Sequence, residues 1–209
     1  MDDKISQLSE KCDLLTQYKK GVMQQIFSQE LRFKSDTGSE FPEWESVLLS
    51  EVSTKKSSNI AANMINENKG HYKMYGAAGV LKEVDFYTQE SPYVSIVKDG
   101  AGVGRLFLCE SKSSVLGTME ILMAKNIIKI DFLFAVLSQI NFDIYVSGST
   151  IPHIYYKDYS KERIALPCLA EQAKIANFLS AIDAQINDAQ AALGLTRAFK
   201  KGLLQQMFV

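Results

Sequence analysis

Residues 19–27 read KKGVMQQIF, and residues 200–208 near the other end of the chain read KKGLLQQMF. Each copy ends a segment whose apolar residues recur at the spacing of one helix face. The chain therefore contains one helix sequence twice, on either side of a long stretch of different character. From this repeat we predict two long helices with one domain between them.

The apolar residues of both helical segments form a narrow stripe with polar residues between them. A stripe of this width suits one partner helix better than a broad core, which favours coiled-coil pairing. Two helices joined by a compact domain whose ends meet lie antiparallel most simply, so we predict an antiparallel stalk. The residues predicted to form the interface between the helices or with partner proteins are Ile5, Leu8, Leu15, Val22, Ile26, Ile175, Leu179, Ile182, Ile186, Leu193, Leu203 and Met207, together with Gly21 and Gly202.

The two glycines occupy the same place in both copies. A glycine inside a helix costs about 1 kcal/mol relative to alanine, so its presence in both copies indicates that a partner backbone comes close there. The alternative is that each glycine marks a helix C-terminus with a short end beyond it.

The middle of the chain has the pattern of an α+β domain. The polar residues 34–39 break the first helix, and FPEW at 41–44 opens the new domain. Short β-rich runs at 93–97, 105–109 and 115–123 alternate with turn formers, whereas the apolar run 131–140 indicates a buried helix. We predict a first helix over 1–34, a mixed α/β domain over 41–167 and a second helix over 168–209.

Composition excludes several classes of protein. The 23 basic and 24 acidic side chains nearly cancel, so binding to a polyanion requires local clustering of charge. The three cysteines have no spacing typical of a disulfide framework or a zinc site, which favours a reducing cytoplasm and no metal. The sequence has no signal peptide and no stretch long enough to cross a bilayer, so no membrane role is expected.

The glycine-rich stretch 100–105, GAGVGR, invites a nucleotide-binding interpretation. Its spacing differs from the dinucleotide fingerprint, and a predicted strand follows it where that motif needs a helix. A hairpin turn is favoured instead, with Lys98 and Arg105 on its shoulders and available to a phosphate or a base edge.

Residues 54–82 carry five lysines and one glutamate, mixed with aromatic and amide side chains. Lysines neutralise phosphates and amides discriminate base edges, so this composition is typical of a base-reading surface. A solvated loop explains the same composition equally well.

No catalytic arrangement is identifiable. His153 follows a Gly-Ser-Thr-Ile-Pro stretch, but no Ser-His-Asp or Cys-His pattern accompanies it, so ordinary hydrogen bonding is the favoured role. Nuclease and methylase motifs are also absent from the sequence. We therefore predict a protein that is not an enzyme.

Several stretches resemble the specificity (S) subunit of type I restriction-modification enzymes. They are Leu166-Pro167, EQAKIANFLSAID at 171–183, the closing KKGLLQQMF, FPEW at 41–44 and GSTI at 148–151. The resemblance spans nearly the whole chain, and its helical motifs are the specific part.

This resemblance implies a non-catalytic target recognition domain that reads one part of an interrupted site in double-stranded DNA. It also implies that the helices scaffold the methylation subunits and the restriction subunit. S-adenosylmethionine, ATP and magnesium would then belong to those partners, and this chain would need no cofactor. A helical adaptor whose domain binds protein, without affinity for DNA, is the alternative.

A full-length member of that family has two recognition domains, and this chain has one. It is either a half-subunit that forms a homodimer to rebuild a two-domain reader, or a fragment of a longer protein. The residues predicted to contact DNA are the basic and polar ones in expected loops: Lys55, Lys56, Lys69, Tyr72, Tyr75, Lys98, Arg105, Ser149, Thr150 and His153.

Overall fold

The structure is a computed structural model that describes residues 1–65 and 67–207. The chain forms two compact units. Residues 1–41 with residues from 174 onward make up the helical unit, and Pro42–Ala173 make up the sheet unit. The predicted α+β fold, with a long helix near each end of the chain, is confirmed.

Short strands and helices fill the chain between the two long helices. In chain order the elements are α1 (Asp2–Phe27), β1 (Glu45–Leu48), α2 (Leu49–Val52), β2 (Ser53–Ser57), β3 (Tyr72–Gly76), β4 (Gly79–Val84), β5 (Tyr93–Val97), β6 (Leu106–Cys109), β7 (Ser114–Val115), β8 (Met119–Ala124), α3 (Ile130–Leu137), α4 (Tyr156–Tyr159), β9 (Arg163–Leu166) and α5 (Leu169–Met207). Two 3₁₀ turns lie at Ala62–Ile65 and Phe142–Tyr145. The side chain of Met207, and Phe208 of the second repeat, lie outside the described residues.

The two long helices of the helical unit run antiparallel, as predicted. Lys19, late in α1, forms an ion pair of 2.6 Å with Asp183 in α5. Asp2, at the start of α1, pairs with Lys200, late in α5. Lys19 and Lys200 are equivalent in the two sequence copies, and so are Asp2 and Asp183. The two ion pairs are therefore one interaction made twice, which gives this helix pair an internal twofold relation.

The predicted stripe forms most of the seam between these helices. Its buried members are Val22, Ile26, Ile175, Leu179, Ile182 and Ile186, and its half-buried members are Ile5, Leu8, Leu15 and Leu193. Leu203 stays 38% exposed and does not contribute to this seam, so only its predicted contact with partner proteins remains as a prediction. Since α1 begins opposite Lys200, Leu203 lies beyond the paired stretch.

The structure tests the repeated glycines only against the described residues of this chain, and contact with a partner protein stays a prediction. A Cβ built on Gly21 or Gly202 meets no atom of other residues within 4 Å, so no backbone of this chain approaches them. Gly21 also does not end its helix, because α1 continues to Phe27. The glycines lie instead on open helix surface.

The first helix ends earlier than residue 34. Gln29 adopts a left-handed backbone with φ of 62°, and its amide donates to the Ile26 carbonyl at 3.0 Å. This is the hydrogen bonding of a helix C-terminal cap, and it stops α1 at Phe27. The chain beyond the cap lies beside α5, where Phe33 packs edge-on against Phe178 at 5.5 Å.

The sheet unit contains three small sheets. β1 pairs with β9, so the beginning and the end of the unit meet. The four-stranded sheet has the order β2-β8-β5-β6 and is antiparallel throughout. The third sheet has the order β4-β3-β7, in which β3 and β7 are parallel. All five residues of β5 are buried, which explains its continuous apolar run with little alternation.

The predicted strands at 93–97, 105–109 and 115–123 are confirmed as β5, β6 and the pair β7 and β8. The predicted buried helix is α3, which packs against β5, β6 and β8. The β3–β4 hairpin was missed, because residues 54–82 were interpreted by their charge. Two of those lysines are held by other groups: Lys73 pairs with Glu110 at 2.8 Å, and Lys82 donates to the Ile65 carbonyl at 2.5 Å.

The signature residues at the two ends of the sheet unit contact each other. The Trp44 indole donates to the Glu171 carboxylate at 2.9 Å, and the Trp44 ring packs edge-on against Phe132. Gln172 is fully buried and accepts from the Lys129 amide at 2.8 Å. Its own amide group donates to two carbonyls, those of Ile127 at 3.0 Å and Pro167 at 2.8 Å. The stretches that carry the family resemblance therefore connect the beginning of the sheet unit to its end.

Candidate nucleic-acid interface

The glycine-rich stretch is the turn between β5 and β6. Gly100, Gly102 and Gly104 have φ angles of 82°, 86° and 84°, which residues with a side chain rarely adopt. The Gly104 amide donates to the Val97 carbonyl at 2.8 Å and closes the hairpin. The hairpin interpretation is confirmed, and a strand follows this loop where a dinucleotide site requires a helix.

A second tight loop spans residues 147–153. Ser147 and His153 exchange two backbone hydrogen bonds of 2.9 and 2.8 Å. Gly148 has φ of 88°, and a Cβ at this position would lie 2.5 Å from the Ile151 carbonyl oxygen and 2.8 Å from the His153 ring. Only glycine fits this position without rearrangement of the loop.

The two loops lie side by side. The Gly100 amide donates to the Pro152 carbonyl at 2.8 Å, and the Ile154 amide donates to the Lys98 carbonyl at 3.0 Å. Lys98 and His153, predicted from separate parts of the sequence, therefore belong to one surface. Ser149 and Thr150 are exposed in the second loop.

A cavity of about 360 Å³ opens beside the first loop, between β2, β8 and residues 154–157, which follow the second loop. Its lining residues are Lys55, Ser57, Lys98, Asp99, Glu120, Ile154, Tyr155, Tyr156 and Lys157. The lining therefore contains three lysines and two carboxylates, so it has a local excess of positive charge. The structure brings together Lys55 and Lys98 from the predicted set and adds Lys157.

Glu120 is the buried charge of this cavity. One of its oxygens lies 3.3 Å from the Lys55 ammonium, and the other accepts from the Tyr159 hydroxyl at 3.2 Å. Burial, and next the negative charge of Glu120, raise the pKa of Tyr159, so its hydroxyl stays protonated and keeps donating.

Tyr155 and Lys157 were missed by the sequence reasoning. The Tyr155 side chain is 48% exposed, and its ring packs edge-on against the His153 ring at 4.9 Å. The Lys157 ammonium lies 5.3 Å from the Tyr155 ring centroid, within the range of a cation–π contact. The mixture of aromatic and basic residues in HIYYK at 153–157 was the available signal.

The other predicted residues lie outside this cavity. Lys56 is exposed on β2, and strand alternation directs its side chain away from that of Lys55. Lys69 is exposed in the segment before β3. Arg105 donates to the Ala77 carbonyl at 2.7 Å and so ties the β5–β6 turn to the β3–β4 turn.

The structure does not support the two predicted tyrosine contacts from β3. Tyr75 is 7% exposed and belongs to the core cluster around Tyr93. Tyr72 is half-buried and packs against Tyr87 with ring centroids 4.8 Å apart. The two rings pack against different clusters, Tyr75 within the cluster around Tyr93 and Tyr72 against the cluster of Ile65, Met74 and Val84.

Within the described residues, no group of acidic, histidine and cysteine side chains is placed to hold a metal ion. The same residues contain no helix that is long and apolar enough to cross a membrane.

These features define the class of the protein: an α+β domain with a lysine-lined cavity, bounded in sequence by two copies of one helix. The chain belongs to the type I restriction modification DNA specificity domain family, whose model matches residues 42–193. The match covers all of the sheet unit and α5 as far as residue 193.

Known proteins of this kind are similar over most of the chain. The type I restriction enzyme MjaVIII specificity subunit of Methanocaldococcus jannaschii is 27% identical over 201 residues, which are 90% of this chain and 47% of that protein. The S subunit of a type I restriction-modification system from M. genitalium has a TM-score of 0.76 at 15% identity, covering 97% of this chain and 56% of that one.

The HsdS subunit from Thermoanaerobacter tengcongensis has a TM-score of 0.56 at 16% identity, covering 98% of this chain and 55% of that one. At these identities the structural likenesses show the fold. The chain spans about half the length of the relatives it matches.

Proposed function

We propose that this chain recognises DNA sequence for a type I restriction-modification complex and reads one part of an interrupted site. The observation that carries the proposal is the surface where the two glycine-containing loops meet Lys55, Lys98 and Lys157. Lysines on such a surface neutralise phosphates, and exposed polar groups in the loops reach base edges. The family to which the chain belongs supports this role.

The helical unit offers two equivalent surfaces for partner proteins. Leu14 and Tyr18 on α1 are 58% and 53% exposed, and their equivalents Leu195 and Phe199 on α5 are 73% and 61% exposed. The open glycine of each repeat follows three positions later, so both helices carry the same apolar face. We assign these two apolar faces to two identical methylation subunits. Because of the internal twofold relation, each subunit would contact an equivalent surface.

Catalysis and its cofactors belong to partner subunits in this proposal. The methylation subunits would bring S-adenosylmethionine, and the restriction subunit would use ATP and magnesium. Purified alone, the chain is expected to show no methyltransferase or nuclease activity with S-adenosylmethionine or magnesium added.

A second recognition domain would come either from a second copy of this chain or from the remainder of a longer protein. A homodimer would read a palindromic interrupted site, because its two domains would be related by twofold symmetry. Light scattering decides between the two, since a monomeric mass at working concentration contradicts the homodimer.

Salt-dependent binding to duplex DNA tests the recognition role. We expect the double variant Lys98→Gln, Lys157→Gln to bind a random-sequence duplex at least about tenfold more weakly, with a salt slope shallower by about 2. The matched control is Lys4→Gln with Lys11→Gln, which removes two exposed charges from α1 and should leave binding unchanged. A wild-type chain without affinity for duplex at low salt would contradict the proposal and favour the protein-binding adaptor.

A further inference from the structure

The cavity beside Tyr155 has the size and the chemistry of a site for one small ligand. Its volume of about 360 Å³ lies near the lower end of the range for small-molecule sites, about 300–1,000 Å³. Both Glu120 and Asp99 line it, and two carboxylates disfavour a phosphate group inside. The lysines therefore suit a neutral polar ligand with acceptor atoms better than they suit a buried anion.

Glu120 fixes the kind of group that the cavity accepts. Its side chain is 5% exposed, so only a group that enters the cavity can contact it. An ionised carboxylate accepts at roughly four positions, of which Lys55 and the Tyr159 hydroxyl occupy two. The remaining positions require N–H donors. A base with an exocyclic amino group supplies them, whereas thymine presents carbonyl oxygens around its single N–H.

Tyr155 supplies the apolar wall that a base requires. Its half-exposed ring packs edge-on against the His153 ring at 4.9 Å, and the Lys157 ammonium lies 5.3 Å from the ring centroid. A base of any identity can stack on such a ring, because every base has a π-face. The two residues therefore have different roles. Tyr155 stacks on any base, and Glu120 selects among the bases.

We infer that this cavity takes one base out of the DNA stack and excludes thymine at that position of the recognition site. The inference rests on the proposed function and extends it, since it assigns a base-selecting role to Glu120 and a stacking role to Tyr155. Asn and Gln side chains, which carry both a donor and an acceptor, would lack this discrimination.

Selection from a random duplex library tests the inference. We expect the wild-type chain to enrich a motif with one position where thymine is depleted at least about tenfold. Glu120→Gln should admit thymine at that position and leave the others unchanged. Tyr155→Ala should lower the affinity for the selected duplex at least about tenfold without changing the motif, and Tyr155→Phe should restore the affinity. Lys56→Ala is the control, because this neighbour on β2 does not line the cavity and should lower affinity without changing the motif.

A second measurement separates an unstacked base from one that is read within the duplex. In the selected duplex, an abasic site opposite the thymine-excluding position removes the cost of unpairing, so wild-type affinity should rise about tenfold. The same change at other positions should not raise affinity. Failure of the wild type to enrich any motif would contradict the proposed function itself. An enriched motif that Glu120→Gln leaves intact, an unchanged affinity in Tyr155→Ala, or no gain from the abasic site would overturn the inference alone.

Discussion

The helical unit and the sheet unit differ in how often each stabilising interaction occurs. In the helical unit, the ion pair of Lys19 with Asp183 returns as that of Lys200 with Asp2, and apolar surface residues are duplicated in the same way. In the sheet unit, the Gln172 hydrogen bonds and the glycine at 148 each occur once. In the helical unit, equivalent contacts share the contribution to the free energy of unfolding. In the sheet unit, single residues make large contributions to it.

This difference predicts that the largest loss of stability from a polar substitution comes from Gln172. Gln172→Ala leaves the Lys129 amide and the carbonyls of Ile127 and Pro167 without their buried partner. We expect the free energy of unfolding of the sheet unit to fall by about 3 kcal/mol. Urea denaturation followed by tryptophan fluorescence measures it, because Trp44 is the single tryptophan and lies in this unit.

Gln185→Ala is the matched control, since it changes an exposed glutamine of the same helix. Its effect should stay within about 0.5 kcal/mol of the wild type. Equal urea midpoints for the two variants would mean that the buried Gln172 amide stabilises the protein no more than a surface glutamine does. This result would contradict the large contribution expected of Gln172.

The same difference explains what the sequence predicted and what it did not. The helices, their antiparallel order and most of their seam followed from the repeat, because helix periodicity places residues such as Val22 and Ile182 on one face without further information. The strands β5, β6 and β8 followed from short apolar runs. The β3–β4 hairpin was missed, because its lysines and tyrosines have the composition of an exposed surface while Tyr75 is buried.

The candidate site was predicted in part for a similar reason. Lys98 and His153 were found because glycines and turn residues mark the loops that hold them. Lys55 was predicted as well, but the position of Lys55 and Lys157 beside Lys98 depends on strand pairing and loop packing, which local sequence does not encode. Glu120 gave no signal at all, because a carboxylate in an apolar strand is recognisable as functional only when its cavity is known.

Glycine-to-alanine substitutions should have opposite signs in the two units. Gly148→Ala places a Cβ 2.5 Å from a backbone oxygen at a left-handed φ, so we expect a loss of about 2 kcal/mol. Gly21→Ala meets open space within α1 and should raise stability by about 0.5–1 kcal/mol. Thermal denaturation of the two variants beside the wild type measures both, and a loss of stability in Gly21→Ala would show that the helical unit is not open at this position.

The smallest effect concerns the duplicated ion pairs, and it tests whether the two copies are equivalent. The hydrogen bond and the charge of Lys200 hold the pKa of Asp2 below its ordinary value. A carboxyl group whose pKa is lowered on folding contributes stability above its unfolded pKa and loses it as the pH falls through the folded pKa. We therefore expect Lys200→Met to return the pKa of Asp2 towards its ordinary value in an NMR titration, and to leave stability almost unchanged because the carboxylate is exposed and screened.

Lys19→Met removes the equivalent partner of Asp183. A clearly larger loss of stability in this variant would mean that the two ion pairs are equivalent in sequence but not in their contribution to stability.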